Sequence, residues 1–210
     1  MGRRKLGEGL PADPEVARQQ LVAAAEQCFD RYGVNKTTMD DIARASGYSR
    51  GTLYRYFSDR DELIRTIIVQ RARAHNVRAD KYIRRHATFE DQLVEGLLYL
   101  VDHGRKDPYI RLLVSPEHME LATRVLTADE AASQITEELW TPILEDAKKA
   151  GEVKADLDIH EFCTWLTYVQ LILVGRLDIA PNDKDAHRRM LRNCVLPAFL
   201  PNRVPAGRSR

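Results

Sequence analysis

Cysteine is scarce: three residues in 210, Cys28, Cys163 and Cys194, far apart and with no Cys-x-x-Cys pair. That excludes a disulfide scaffold and a thiolate zinc centre. Each thiol sits at an apolar helical spacing, so buried free cysteines in a reducing compartment are expected. Alternating β-branched runs and Asn-Gly or Asp-Gly turns are missing, which argues against a sheet. The most apolar stretch, Trp165 to Val174, is too short for a bilayer and holds Thr167 and Gln170, so no membrane partner is expected. The opening residues MGRRKLGEGLP lack the apolar segment of a secretory signal. Catalytic motifs are absent as well. The histidines (His75, His86, His103, His118, His160, His187) form no HExxH and no zinc spacing with cysteine, and neither a Walker A sequence nor GxSxG occurs. Gly7-Glu8-Gly9-Leu10-Pro11-Ala12 matches a dinucleotide fingerprint only formally, because no strand precedes it. No catalytic residue, metal or cofactor is assigned, and an enzyme is not expected.

Net charge is also nearly absent, with 32 Lys+Arg against 31 Asp+Glu. The distribution is uneven. Residues 1–85 hold 17 basic and 11 acidic side chains, and residues 86–210 hold 15 and 20. A basic front half suggests an anionic partner. With 44% hydrophobic and 30% charged residues the chain is globular. At this length it can bury roughly 70% of its unfolded surface without a staple.

What is present reads as helix throughout. Asp13 and Pro14 form a cap and first position, and Leu21, Ala25, Cys28, Phe29 and Tyr32 share one apolar stripe. A helix from about Pro14 to Tyr32, stopped by Gly33, follows. Thr38-Met39-Asp40-Asp41 has the capping-box shape, with Asp in place of Glu or Gln, and opens a short helix through Ala45. Ser46-Gly47-Tyr48 is a tight turn, and Ser49 caps a second short helix through about Phe57. Ser58-Asp59-Arg60-Asp61 is another box-like start, for a long helix to about Arg84 with Leu63, Ile64, Ile67 and Ile68 on its buried side. Later helices are expected near 89–104, 128–150, 158–177 and 183–199. A broken region at 107–124 surrounds Pro108 and Pro116, and Pro142 should kink or break its helix.

Two two-turn helices joined at Gly47 describe a helix-turn-helix. Met39, Ile42, Ala43, Leu53 and Phe57 are spaced to pack the pair. Ser49, Arg50, Gly51, Thr52, Tyr54 and Arg55 then face solvent. That face suits a major groove: Arg can fork to guanine, Ser and Thr can read base edges, and Gly51 lets the backbone approach. The hydroxyls of Tyr54 and Tyr56 can meet phosphates, with a mostly packing role for Tyr54 as the lesser alternative.

The pattern Thr38-x-x-x-Ile42-Ala43-x-x-Ser46-Gly47-Tyr48-Ser49-x-Gly51-Thr52-Leu53-Tyr54-x-Tyr56-Phe57-x-Asp59-Arg60-x-Glu62-Leu63 resembles the DNA-binding domain of the TetR family of bacterial repressors, and Ala24-Ala25-x-x-Cys28-Phe29-x-x-Tyr32-Gly33 fits upstream. The resemblance covers about a quarter of the chain; beyond it only helical content and length agree. It implies a homodimer on a palindromic operator in double-stranded DNA, in a cytoplasmic, nucleoid-associated protein. It places Arg50, Gly51 and Thr52 near base edges, with Ser49 and Arg55 beside them. It places Thr38, Tyr48, Tyr54, Tyr56, Arg60 and Lys36 at the DNA backbone. Arg3, Arg4 and Lys5 would reach a minor groove or phosphates, or serve only solubility. Asp40 and Asp41 depart from the expected charge of such a surface.

The resemblance also implies a C-terminal pocket for a small-molecule effector. Tyr82, Tyr99, His103, Leu112, Trp140, Trp165 and Tyr168 are large residues in the segments around it, to be weighed against plain core roles. Their apolar bias suggests a hydrophobic or amphipathic effector. In 158–177 two apolar stripes alternate: Phe162, Leu166, Val169 and Leu173, and Trp165, Tyr168, Leu171 and Ile172. His187, Met190, Leu191, Cys194, Val195 and Ala198 form another. The family's dimer interface uses its last two helices, so Phe162, Leu166, Val169, Leu173, His187, Met190, Leu191 and Cys194 are the interface candidates. The alternative packs both stripes within one subunit. The expected fold class is all-α: an N-terminal three-helix bundle with the helix-turn-helix and a C-terminal helical ligand-binding and dimerisation domain. The expected division is a flexible basic arm at 1–12, a DNA-binding domain at 13–58, an effector and dimerisation domain at 59–200, and a disordered tail at 201–210. The function so read is a repressor released from its operator by effector. The alternatives are a DNA-binding adaptor controlled by a partner protein and a recombinase, which would need a sheet that is not visible. The long helix from Arg60 is the natural lever between the domains.

Overall fold

Helix boundaries follow the capping residues. The computed structural model describes residues 13–118, 120, 122–123, 131–175 and 183–201. The expected arm and all but the first residue of the expected tail lie outside them. Among the described residues there is no strand, and no helix is long and apolar enough to cross a membrane. The helices are α1 (Pro14–Tyr32), α2 (Met39–Ser46), α3 (Arg50–Tyr56), α4 (Arg60–Ile83), α5 (Phe89–Lys106), α6 (Ala131–Ala150), α7 (Ile159–Val174) and α8 (Lys184–Met190). Short 3-10 turns at Ile110–Val114 and Pro116–His118 occupy the broken region expected around Pro108 and Pro116.

The chain divides into two compact units on either side of the Gln70–Arg71 bond, inside α4. The boundary lies beyond residue 58 because Leu63, Ile64, Ile67 and Ile68 are buried, and all four belong to the first unit. The start of α4 is shifted by one residue from Ser58. The Asp59 carboxylate accepts the Glu62 N–H at 2.8 Å, and Glu62 in turn accepts the Ser58 N–H at 2.6 Å. Tyr32, expected on the buried stripe of α1, is exposed: it ends the helix, with no further turn beside it.

In the second unit α5, α6 and α7 enclose one core, joined by Ala79 and Ile83 of α4 and by Leu191, Val195, Leu196 and Phe199. Phe162 sits at its centre, with ring centroids 4.5 Å from Phe199 and 6.3 Å from Trp140. Gly96 lets α5 approach closely: a Cβ there would lie 2.7 Å from Ile83 and 3.1 Å from Trp140. Pro142 does not break α6, which runs unbroken past it. The burial of Leu139, Trp140, Ile143 and Leu144 outweighs the one lost hydrogen bond. The last segment is not one α-helix. After α8 it makes a π turn, Leu191–Val195, closed by the Leu196 N–H on Leu191 O, and then a 3-10 turn. Pro197 lacks the N–H that a regular ladder would use. Arg188 grips Glu95 at 2.6 and 3.0 Å, and Arg192 pairs with Asp91 at 2.7 Å and with Glu90, fastening this segment to α5.

Burial divides the interface candidates. Phe162, Leu166, Val169 and Leu173 lie in the subunit's own core, as do His187 and Leu191. Met190 and Cys194 are exposed, so the stripe expected on the last helix divides between two faces. The second stripe of α7 is the open one: Trp165, Tyr168 and Ile172 are 48%, 55% and 52% exposed. Trp165 and Tyr168, both expected around an effector, thus have about half of their surface open in this chain. The thiols divide likewise. Cys28 and Cys163 are buried and Cys194 is exposed. Burial pushes the Cys163 thiol up to about 12.

Candidate nucleic-acid interface

The first unit is built to hold α3 by one side. Leu53 and Phe57 are fully buried, with Ile42, Ala43 and Met39 of α2 also in the core, and α2 packs on α1. Arg18 of α1 stacks its guanidinium 5.0 Å over the Phe57 ring and donates to Thr66 of α4 at 3.1 Å.

Each short helix is started by its own side chains. At α2, Thr38 Oγ1 accepts the Asp41 N–H at 3.2 Å while Asp41 accepts the Thr38 N–H at 3.1 Å and its hydroxyl at 2.6 Å. These hydrogen bonds from Thr38 hold the Asp41 carboxyl below the usual carboxylate range. The capping box expected with Asp in place of Glu is complete. Gly47 turns the chain in the left-handed region, φ 77°, where a side chain would be strained. Ser49 accepts the Thr52 N–H at 3.1 Å, and the two hydroxyls lie 2.9 Å apart.

The free side of α3 carries the polar face expected. Ser49, Arg50, Gly51, Tyr54 and Arg55 are exposed and Thr52 and Tyr56 half-buried. A Cβ on Gly51 would meet only Ser49 Oγ, at 3.9 Å. Packing within the chain therefore does not require glycine there, and the bare Cα leaves a flat approach. Arg50 lies 5.4 Å from the Tyr54 ring and Arg55 5.4 Å from the Tyr56 ring. Lys36 is exposed beside α2.

Three residues expected at the DNA backbone make hydrogen bonds within the first unit. Tyr48 donates its hydroxyl to Gln20 of α1 at 2.6 Å. Arg60 donates Nη1 to the carbonyls of Val34, Asn35 and Thr37 at 3.1, 3.4 and 3.5 Å, tying the start of α4 to the α1–α2 loop. The Thr38 hydroxyl is spent in the capping box. Sequence reasoning missed Gln20 and Arg18 as supports, because their partners lie 28 and 48 residues away with no local spacing to reveal them. It noted Asp40 only as excess charge. In the structure Asp40 pairs with Arg50 at 3.2 Å.

The effector candidates separate in the second unit. Tyr82, Tyr99 and His103 stack in series, with centroids 4.7 and 3.9 Å apart, and His103 Nδ1 lies 2.8 Å from Tyr99 O. Trp140 is fully buried, and Leu112 is half-buried in a 3-10 turn.

The family model described as "Bacterial regulatory proteins, tetR family" matches residues 21–67, the segment that forms this interface. The uncharacterised HTH-type transcriptional regulator YhgD of Bacillus subtilis is 23% identical over 189 residues, covering 88% of this chain and 97% of YhgD. Among solved structures, the TetR family repressor AlkX of Dietzia has a TM-score of 0.64 at 24% identity, covering 90% of this chain and 97% of AlkX. Thermus thermophilus FadR, solved with lauroyl-CoA, has a TM-score of 0.61 at 17% identity, covering 91% of this chain and all of FadR. A helix-turn-helix anchored by Leu53 and Phe57, with a polar α3 face, coincides with the matched segment. Residues 21–67 thus form a TetR-family helix-turn-helix DNA-binding domain, and over most of its length the chain is similar to HTH-type transcriptional regulators.

Proposed function

We propose that the protein is a ligand-responsive repressor that binds a palindromic operator as a homodimer. The observation that carries this reading is the α3 face: a helix held rigidly from behind, with Arg50, Gly51, Thr52 and Arg55 turned outward. Arg50 forks onto a guanine, Gly51 and Thr52 approach base edges, and Tyr54, Tyr56 and Lys36 neutralise or bond phosphates. Thr38, Tyr48 and Arg60 serve the interface by fixing its frame. The DNA-facing unit runs to Gln70.

In the second unit the effector is apolar or amphipathic. Its site lies among the Tyr82–Tyr99–His103 stack and Trp140. Three buried ring nitrogens support this: among the described residues Trp140 Nε1, His75 Nδ1 and His86 Nε2 lack hydrogen-bond partners. Buried polar atoms of this kind call for a ligand or water. The acyl thioester bound to Thermus FadR fits the same chemical class. Effector binding shifts a two-state population away from the DNA-competent form. A coupling of about 1–3 kcal/mol lowers operator affinity about 5- to 150-fold.

The test begins with selection of duplexes from a random library by the full chain. On the selected duplex, Arg50→Ala should weaken binding by about 1–3 kcal/mol and relax preference at one position per half-site. A library from which nothing is enriched, or an Arg50→Ala titration that matches wild type, would overturn the reading.

A further inference from the structure

The acidic residue beside the recognition helix has a geometry that suits selectivity. Asp40 sits in the first turn of α2 and Arg50 opens α3, yet Arg50 Nη1 lies 3.2 Å from each Asp40 oxygen. Among the described residues nothing else accepts from the guanidinium, so Nε and Nη2 keep open donors. The Tyr54 ring lies under the same guanidinium at 5.4 Å. Both partners are largely exposed, at 64% and 53% of their side chains. An exposed pair of this kind adds little to folding stability. Asp40 is not needed to start α2 either, because the Thr38–Asp41 box does that.

We infer that Asp40 is a specificity-determining residue, acting by positioning Arg50. The inference rests on the DNA-binding reading above. Its physical content has two parts. First, an arginine held at one nitrogen presents its remaining edge in a fixed direction, which favours the paired acceptors of guanine, N7 and O6. A freely swinging arginine reaches any phosphate within its radius. Second, the carboxylate neutralises the arginine locally, so Arg50 releases no counterion when the protein lies on random DNA. At the operator the guanine edge rewards the held guanidinium; elsewhere the paired guanidinium offers a phosphate no net charge. Discrimination is raised by weakening the wrong complex as well as by favouring the right one.

The experiment uses the full chain, a duplex selected by it from a random library, and a scrambled duplex of the same composition. Asp40→Asn keeps the side-chain shape and removes the charge. Its affinity for the scrambled duplex should rise, and the ratio of operator to scrambled affinity should fall about tenfold. The slope of log affinity against log salt on the scrambled duplex should steepen by about 0.9, the signature of one added phosphate contact. In an Arg50→Ala background the same substitution should leave the ratio and the slope unchanged. Equal gains on both duplexes, with the ratio intact, would overturn the inference, because simple loss of a repelling charge acts on both alike. An Asp40→Asn effect that persists without Arg50 would overturn it too. If Arg50→Ala itself leaves the ratio untouched, the α3 reading fails, and that result is distinct from failure of Asp40 alone.

Discussion

Arg60, Tyr48 and Thr38 show how a side chain matching a DNA-contact pattern can serve by holding other groups in place. The loop between α1 and α2 exposes carbonyls that no helix can satisfy, and Arg60 supplies a donor to three of them. Arg60→Met keeps the aliphatic stem and removes the donors. It should destabilise the first unit by about 1–2 kcal/mol, read from urea melts. A melt within about 0.5 kcal/mol of wild type would mean that water replaces the guanidinium at no cost. The capping residues were legible in sequence because their partners lie three positions away. Arg60 and Tyr48 were not, because theirs lie 23 to 28 residues away.

At the scale of elements, the turn after α5 depends on one buried carboxylate. Asp107 Oδ1 accepts the N–H groups of Tyr109 and Ile110 at 2.9 and 3.1 Å. Its Oδ2 lies 3.2 Å from both Arg71 Nη1 and His75 Nε2 of α4. Arg71 also stacks 4.4 Å over the Tyr109 ring. Burial pushes the Asp107 carboxyl up, but the Ile110 N–H, His75, the Tyr109 N–H and Arg71 together bring it below the usual carboxylate range. The folded form therefore binds the proton less readily than the unfolded one. The stability this group contributes is complete above the unfolded value, about 4, and is lost as pH falls through the folded value. Asp91 and Glu95, held low by Arg192 and Arg188, act in the same direction. Asp107→Asn should lower stability at neutral pH by about 1–3 kcal/mol and flatten, without abolishing, the acid limb of a stability–pH profile. An unaltered acid limb in urea melts would remove Asp107 from this account. Helix starts near 89 and 159 were legible from Thr88, Asp158 and the apolar period. The broken end after α8 was not, since periodicity cannot separate an α-helix from a π turn.

For the whole molecule, the location of the unit boundary changes the meaning of the charge. Cut at residue 85, the chain has a basic front and an acidic back. Cut at Gln70, where the units part, residues 1–70 hold 11 basic and 10 acidic side chains and the rest hold 21 of each. Bulk attraction to phosphate is therefore small, and the proposed recognition depends on placement on one helix face. The proposed homodimer calls for an exposed apolar face, and Trp165, Tyr168 and Ile172 of α7 offer one. Ile172→Asp should yield monomers by sedimentation with the melt little changed. A dimer that persists would move the interface away from α7. Leu173, one residue on, is buried, and a charge there should unfold the core before it reports on assembly.

By itself the sequence determined the all-α class, the starts of the capped helices and the helix-turn-helix with the outward residues of α3. These depend on neighbours within about one helical turn, and short-range chemistry is written in short-range order. Only the tertiary structure decided which stripe of α7 is core and which is free. Both stripes are apolar with the same period, and only packing against α5 and α6 distinguishes them. It also decided that Arg60 and Tyr48 brace the fold, and that Asp40 meets Arg50 across a left-handed turn at Gly47. Those pairings are set by where separate helices bring their side chains, which no local pattern records.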